Sequence, residues 1–293
     1  MTALAFVTAV LLSAASKPSQ YPLAAALVLD GKLAIVDLPT HSLRPLPLPE
    51  GLIPDQADLS LDKTRVVVSA TRGRGMPHRL FLVDVASGDV QEMPVPGQSD
   101  LEDPRFADGG ASVLFAAPAR PGQESHDNRT RLYRFRLKGR ELSEVQTDHA
   151  LCGLSPVAFR RKVAFIETSC FVRFALELVD PKSHHEQKIA DLAGLSSEVA
   201  VSLDGKKLLY TAMERDGYKF YLYREGEAPR LLLSTGRDAP RLQPRFVCPR
   251  DVLFVNQHKV WALNSDSGEL TEVLDVASLD PATGKDEVAH VAR

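Results

Sequence analysis

Residues 199–223 read VAVSLDGKKLLYTAMERDGYKFYLY. A short apolar strand leads into Asp204-Gly205, a second apolar strand follows, and a polar loop around Arg215-Asp216-Gly217 leads into a third. Asp-Gly suits a tight hairpin turn, where positive φ is required. The same order returns in residues 57–85, ADLSLDKTRVVVSATRGRGMPHRLFLVDV. It returns again in residues 104–115, PRFADGGASVLF, with Leu132-Tyr133-Arg134-Phe135 as the third strand after a longer insert. A weaker fourth strand closes each unit: Val90–Met93, Leu142–Val145, Leu231–Leu233 and Leu270–Val273.

The third strands end at Asp37, Asp84, Arg136, Asp180, Arg224 and Asn264, a spacing of about 40 to 50 residues. Four short strands at that period are the pattern of propeller blades. No segment past the N-terminus sustains a 3.6-residue apolar period, so helices should be nearly absent. The expected fold is all-β: a six-bladed β-propeller of four-stranded antiparallel blades. The blades are drawn at 21–54, 55–96, 97–147, 148–193, 194–236 and 237–277 within one domain, 21–293. The first blade reads as lacking an innermost strand, because it opens directly on Leu23–Val28. The chain end, Glu287–Ala292, resembles the innermost strand Glu198–Leu203. The C-terminal strand, 286–292, is therefore expected to complete the first blade and close the ring, removing open sheet edges; a frayed tail over 278–293 is the other reading.

The Ser60-Leu61-Asp62, Phe106-Ala107-Asp108-Gly109 and Ser202-Leu203-Asp204-Gly205 turns resemble the Ser-Pro-Asp-Gly turn of TolB-like propeller repeats. The loops Thr71-Arg72-Gly73 and Arg215-Asp216-Gly217, and the strand Leu80–Asp84, fit the rest of that repeat. The resemblance covers roughly residues 55 to 265 and is to the propeller module alone, without the separate N-terminal domain of TolB itself. It implies the propeller fold and a bacterial source.

Composition agrees with an ordinary folded protein. The 293 residues are 44% hydrophobic and 25% charged. A net charge of -3 gives no global attraction to nucleic acid or anionic membrane. Residues 3–12, ALAFVTAVLL, are too few to span a bilayer, which needs about 20. Small residues and then a polar stretch follow, the order of a cleaved export signal over residues 1–16. No Lys or Arg precedes the run, and a buried N-terminal element or a mis-assigned start also fits. With no second long apolar run, the expected location is periplasmic or secreted, with no membrane span.

In a propeller blade the second-to-third loops and the links between blades share one face. The links place acids beside the innermost strands: Asp55 and Asp58, Asp100 with Glu102 and Asp103, Asp148 with His149, Glu198, Asp238, and Asp286 with Glu287. Asp58, Glu102, Asp103, His149, Glu198 and Asp238 are thus candidates for a channel mouth that binds a cation or the basic end of a peptide. The other reading is that solvated loops are commonly acidic and that some of these groups cap turns. Further out, the loops carry Arg74, His78, Arg120 and Arg129. Long loops on a rigid scaffold favour function, and Pro118–Thr130 is the longest here.

Placing Phe159 opposite Val163 in a hairpin puts Cys152 opposite Cys170, a disulfide candidate in an exporting compartment. A one-residue slip in that register would abolish it. Cys248 reads as a small core residue, and His184-His185 as an exposed turn, since neighbours on a strand point to opposite faces. The sequence carries no G-x-S-x-G elbow, P-loop, H-E-x-x-H or C-x-x-C. The leading expectation is a non-catalytic module that binds a protein or peptide, including an envelope-associated one, with no cofactor. The alternative is a metal-dependent propeller hydrolase, a lactonase or phosphoesterase with calcium in its channel; the placing of the acids in links rather than within inner strands weighs against it.

Overall fold

The computed structural model describes residues 21–97, 100–118, 130–145, 147, 153–169, 173–192, 198–236 and 242–276. Its strands form six antiparallel sheets in chain order. The first holds β1 (Ala24–Leu29), β2 (Lys32–Asp37) and β3 (Ser42–Pro45). The second holds β4 (Ile53–Leu59), β5 (Arg65–Thr71), β6 (Arg79–Asp84) and β7 (Val90–Glu92). The third holds β8 (Glu102–Ala107), β9 (Ser112–Pro118), β10 (Thr130–Arg136) and β11 (Glu141–Glu144). The fourth holds β12 (Gly153–Phe159), β13 (Lys162–Ser169), β14 (Arg173–Val179) and β15 (Glu186–Leu192). The fifth holds β16 (Val199–Val201), β17 (Lys207–Glu214), β18 (Gly217–Arg224) and β19 (Arg230–Ser234). The sixth holds β20 (Arg245–Phe246), β21 (Asp251–Asn256), β22 (Lys259–Asn264) and β23 (Leu270–Asp275). The fold is an all-β, six-bladed propeller; a single 3₁₀ turn at Asp108–Gly110 is the one helical element among the described residues.

The middle strands explain why the sequence shows apolar runs rather than strict alternation. On β5, Val66 and Val68 pack toward the first sheet while Val67 packs toward the third. A strand covered on both faces needs apolar residues at every position. Outer strands are covered on one side only, and β7 and β11 are correspondingly polar and exposed. Each pair of neighbouring sheets encloses its own apolar cluster. Stability is therefore spread around the ring as nearest-neighbour terms.

β1, β2 and β3 are the second, third and fourth strands of the first blade, as the sequence reading has it. β1 runs against the inner strands: Leu23 N–H meets Val247 O just past the end of β20, and Val28 meets the Gln243 side chain just before its start. The β2–β3 turn, where Asp37 accepts from the Thr40 N–H, repeats the third-to-fourth turn in which Asp84 accepts from the Ser87 N–H. Among the described residues this sheet is one strand short at its inner edge, which leaves Ala24, Ala25 and Ala26 facing the channel. The segment 286–292, expected to close the ring, lies outside the described residues. Among the described residues the first and sixth sheets also meet directly. The Leu23 N–H donates to Val247 O at 3.0 Å. The Gln243 side chain accepts from Val28 N–H at 3.1 Å and donates to Val28 O at 3.2 Å, taking the place of a backbone partner.

The hairpin of β12 and β13 differs in register from the sequence reading. Phe159 faces Lys162, not Val163, and a bulge between Leu154 and Val157 then sets Gly153 opposite Glu167. The register that paired Cys152 with Cys170 is therefore absent; both cysteines lie outside the described residues. Cys248 is buried, as expected.

Candidate functional site

The inner strands share a local device. On β4, β8 and β12 the ladder slips between Pro54 and Gln56, Glu102 and Arg105, and Leu154 and Val157. Asp103 and Ser155 sit there at positive φ, as does Gln243 just before β20. Pro104, Pro156 and Pro244 each follow one of these residues. Proline has no N–H to leave unpaired at a bulge, and the bulge turns the next side chains toward the axis. The third and sixth sheets, which oppose one another across the ring, carry the same tripeptide here: Pro104-Arg105-Phe106 and Pro244-Arg245-Phe246. Their two guanidinium groups enter the channel from opposite sides.

Between them lie the carboxylates of the second and fifth sheets. Asp58 Oδ2 accepts from the Phe106 N–H at 2.8 Å. Arg245 Nε lies 3.7 Å from Asp58 Oδ1, and Arg245 Nη1 lies 3.8 Å from Glu198 Oε2. Arg245 donates from Nε and Nη2 to Ala57 O at 3.1 and 2.8 Å, and from Nη1 to Pro244 O at 2.8 Å. Arg105 Nη1 donates to Pro104 O at 2.9 Å. Asp103 Oδ2 accepts from the Ser155 N–H and hydroxyl at 2.8 and 3.1 Å, fastening the third sheet to the fourth. Burial raises the Asp58 and Glu198 carboxyls above their ordinary values against the pull of the arginines. Burial, helped by the like charge of Arg105, brings Arg245 down to about 10.

Above this charged band opens a cavity of about 270 Å³. Ala24, Ala25, Val157, Ala158 and Ala200 form much of its wall. Its rim is made by first-to-second turns, at Leu61, Asp108–Gly110 and Leu203–Gly205. The cavity therefore opens on the face opposite the links.

The placement of the expected residues follows. Asp58 and Asp103 lie within inner strands β4 and β8, not in links, because each strand starts earlier than its apolar core suggests. Glu198 immediately precedes β16 and reaches Arg245. Glu102 opens β8 at the link end, away from the cavity. There it meets His78, which the sequence had placed further out: His78 Nδ1 is 2.9 Å from Asp100 Oδ1 and 4.0 Å from Glu102 Oε1. The ligand atoms of His78, Asp100 and Glu102 all lie within 4.8 Å of one another. Burial, then the like charges of Asp103 and Asp100, raises the Glu102 carboxyl. One imidazole and two carboxylates could hold a divalent transition ion, but at the end of β8 remote from the cavity. Arg74 stands exposed in the loop between β5 and β6. His149, Asp238, Arg120 and Arg129 lie outside the described residues. His184 and His185 fall in the turn between β14 and β15, as read. Arg105 and Arg245 were missed, although the repeated Pro-Arg-Phe was in the sequence to be found. No helix among the described residues is long and apolar enough to cross a membrane.

No protein-family profile matches the chain. No curated protein matches it in sequence. Solved structures do match in shape. TolB from Acinetobacter baumannii aligns over 85% of this chain and 62% of its own, at 14% identity and a TM-score of 0.66. This chain thus spans less than two thirds of that protein. A protein from Agrobacterium tumefaciens assigned as TolB aligns over 86% of this chain and 88% of its own, at 12% identity and a TM-score of 0.66. An oligogalacturonate lyase in complex with manganese aligns over 80% of this chain and 70% of its own, at 14% identity and a TM-score of 0.55. At these identities the likeness is one of fold, which hosts both binding proteins and enzymes. In fold the chain is a TolB-like six-bladed β-propeller.

Proposed function

We propose that the chain is an exported, non-catalytic propeller that binds a protein or peptide by taking one side chain or chain end into its central cavity. The observation that carries this reading is the cavity itself: walls rich in alanine, the buried charges of Asp58, Arg105 and Arg245 in its lining, and a mouth on the first-to-second turn face. A volume of about 270 Å³ is too small for a large ligand. It exceeds the roughly 150 Å³ that admits benzene in an engineered core. A rigid scaffold with a small anchor pocket is what recognition of a protruding group requires. The proposal moves the binding face from the link side to the turn side. The hydrolase alternative gains little, because the one candidate metal-ligating trio among the described residues is at the far end of β8 from the cavity.

Peptide display on the full chain tests the reading. Peptides enriched on the wild type should lose at least tenfold in affinity for Ala158→Phe, which fills the cavity from its wall. Equal affinity for both proteins, or no enrichment, would overturn it. Export is tested separately, by expression from the native start and intact-mass measurement of the envelope fraction. Loss of residues 1–16 supports it, and a full-length cytoplasmic product removes it.

A further inference from the structure

The inner edge of β1 is a strand edge turned to the axis. In an antiparallel ladder the N–H and C=O of one residue point to the same side, and successive residues alternate. Leu33 O accepts from the Leu46 N–H just past β3, so the odd residues of β2 serve β3 and the even ones serve β1. The even residues Val36 and Ala34 face Ala25 and Leu27. Ala24, Ala26 and Val28 therefore turn their N–H and C=O groups away from β2, toward the axis. Both Val28 groups are taken there by the Gln243 amide. Among the described residues the matching groups of Ala24 and Ala26 meet no hydrogen-bond partner. These two residues are 4% and 0% exposed, so water has little access to them. Buried backbone donors and acceptors are almost always paired, and an open edge of this kind is completed by an added strand.

The chain itself supplies a segment at the right place. Asp275 at the end of β23 pairs with Lys259, and the Val276 N–H donates to His258 O, so the chain leaves the sixth sheet beside its second-to-third turn. That is the link face, from which every inner strand sets out. The five links from an outer strand to the next inner strand hold 6 to 10 residues. The same span beyond Asp275 brings the next strand to start at 282–286. Residues 286–292, DEVAHVA, follow Pro281 and Gly284 and contain no proline, and their Val288-Ala289 repeats Val199-Ala200 of β16. Residues 13–20, SAASKPSQ, are the other nearby segment, but they are polar and interrupted by Pro18.

We infer that the inner edge of β1 is the docking site of residues 286–292, which add antiparallel to β1 as the innermost strand of the first sheet. Two residues of the segment, two apart, exchange hydrogen bonds with Ala26 and then with Ala24. Gln243, holding Val28, marks the limit of the pairing on the link side. The inference is independent of what the cavity binds; it sets which residues wall the cavity on the side of the first sheet.

The test is NMR on the deuterated, ¹⁵N-labelled full chain. Nuclear Overhauser contacts should join the amides of Ala24 and Ala26 to amides within 286–292. Ala289→Pro and His290→Pro then probe the pairing, because one of two adjacent residues must turn its N–H to β1 and proline has none. In one of the two variants amide exchange at Ala24 and Ala26 should speed up at least tenfold, while β13 and β14 keep wild-type rates. The contacts are read on the wild type, so they decide the matter even where a proline variant fails to fold. Contacts from the two alanines to residues 1–20 would overturn the inference and assign the N-terminal segment. Contacts found only between differently labelled chains in a mixture would overturn it and assign a second copy. No contact to 286–292, or exchange that neither proline alters, would overturn it as well.

Discussion

Arg245 is the residue on which the centre of the molecule depends. It spans three sheets, donating to Ala57 O of the second while facing Glu198 of the fifth from its own place in the sixth. Arg245→Met keeps much of the volume and removes the charge, leaving Asp58 and Glu198 buried beside one remaining cation. Removing one member of a buried charge group costs about 3–5 kcal/mol. Urea unfolding of the variant should show a loss of that size, and Arg245→Lys, which keeps the charge without the forked contact to Ala57 O, should lose less. A second prediction concerns the turns. The Ser60 hydroxyl, then the Thr64 N–H and hydroxyl, hold the Asp62 carboxyl down to about 2 from its usual 3.8. A carboxyl held below its unfolded value adds stability that is complete above the unfolded value and is lost as pH falls through the folded one. Ser60→Ala removes the largest of these contacts. The stability gap between wild type and variant should therefore shrink as pH drops from about 5 to 2. Part of the gap should persist, because Ser60 Oγ also accepts from the Arg65 N–H at 2.9 Å whatever the pH. Urea titrations across that range measure it, and a gap independent of pH would sink the assignment.

At the scale of single elements, the β17–β18 hairpin shows how one position sets a blade. Gly217 has φ +136°, and a Cβ there would stand 2.0 Å from Thr235 O, on the segment that follows β19. Gly217→Ala must therefore move backbone as well as strain it, and should cost about 2 kcal/mol or more. Thermal melts against Gly226→Ala provide the comparison, since a Cβ at Gly226 meets nothing within 4 Å. The turn of Gly217 was legible in advance, because Arg215-Asp216-Gly217 marked a break between two apolar runs. The Asp108-Gly109 and Asp204-Gly205 turns were legible for the same reason: turn chemistry is local, and local signals survive in sequence. The strand order within the first blade was legible too: Asp37 takes its place in the series of third-strand ends, which makes Ala24–Leu29 a second strand. The site was half legible. Charge near an inner strand pointed to Asp58, Asp103 and Glu198. The arginines that oppose them come from blades more than a hundred residues apart, and a bulge rather than a propensity turns them inward. The cavity's face was misread on the same ground, since inner-strand starts were taken as links.

On the scale of the whole ring, five of the six interfaces between sheets are crossed by a covalent link, and the one between the first and sixth sheets is not, among the described residues. Among the described residues that interface is held by the Leu23–Val247 bond and by side chains: Ala25, Leu27 and Val36 on one side, Val247, Leu253 and Val260 on the other, with the Gln243 amide clamping Val28. The two sheets stand at opposite ends of the described chain, so their contacts close the longest loop in the ring, and this is where sub-global opening should begin. Leu27→Ala in the closing interface and Leu114→Ala between the third and fourth sheets both remove a fully buried leucine, each at about 2–5 kcal/mol. Their total costs should be similar, but their distribution should differ. Leu27→Ala should speed native-state amide exchange selectively in β1, β2, β21 and β22 while leaving β13 and β14 near wild-type rates. Leu114→Ala should instead raise exchange evenly as global stability falls, because its neighbours remain linked through the chain. Equal and uniform acceleration in both variants would mean that the ring opens only as one unit, and that this interface is no weaker than the rest.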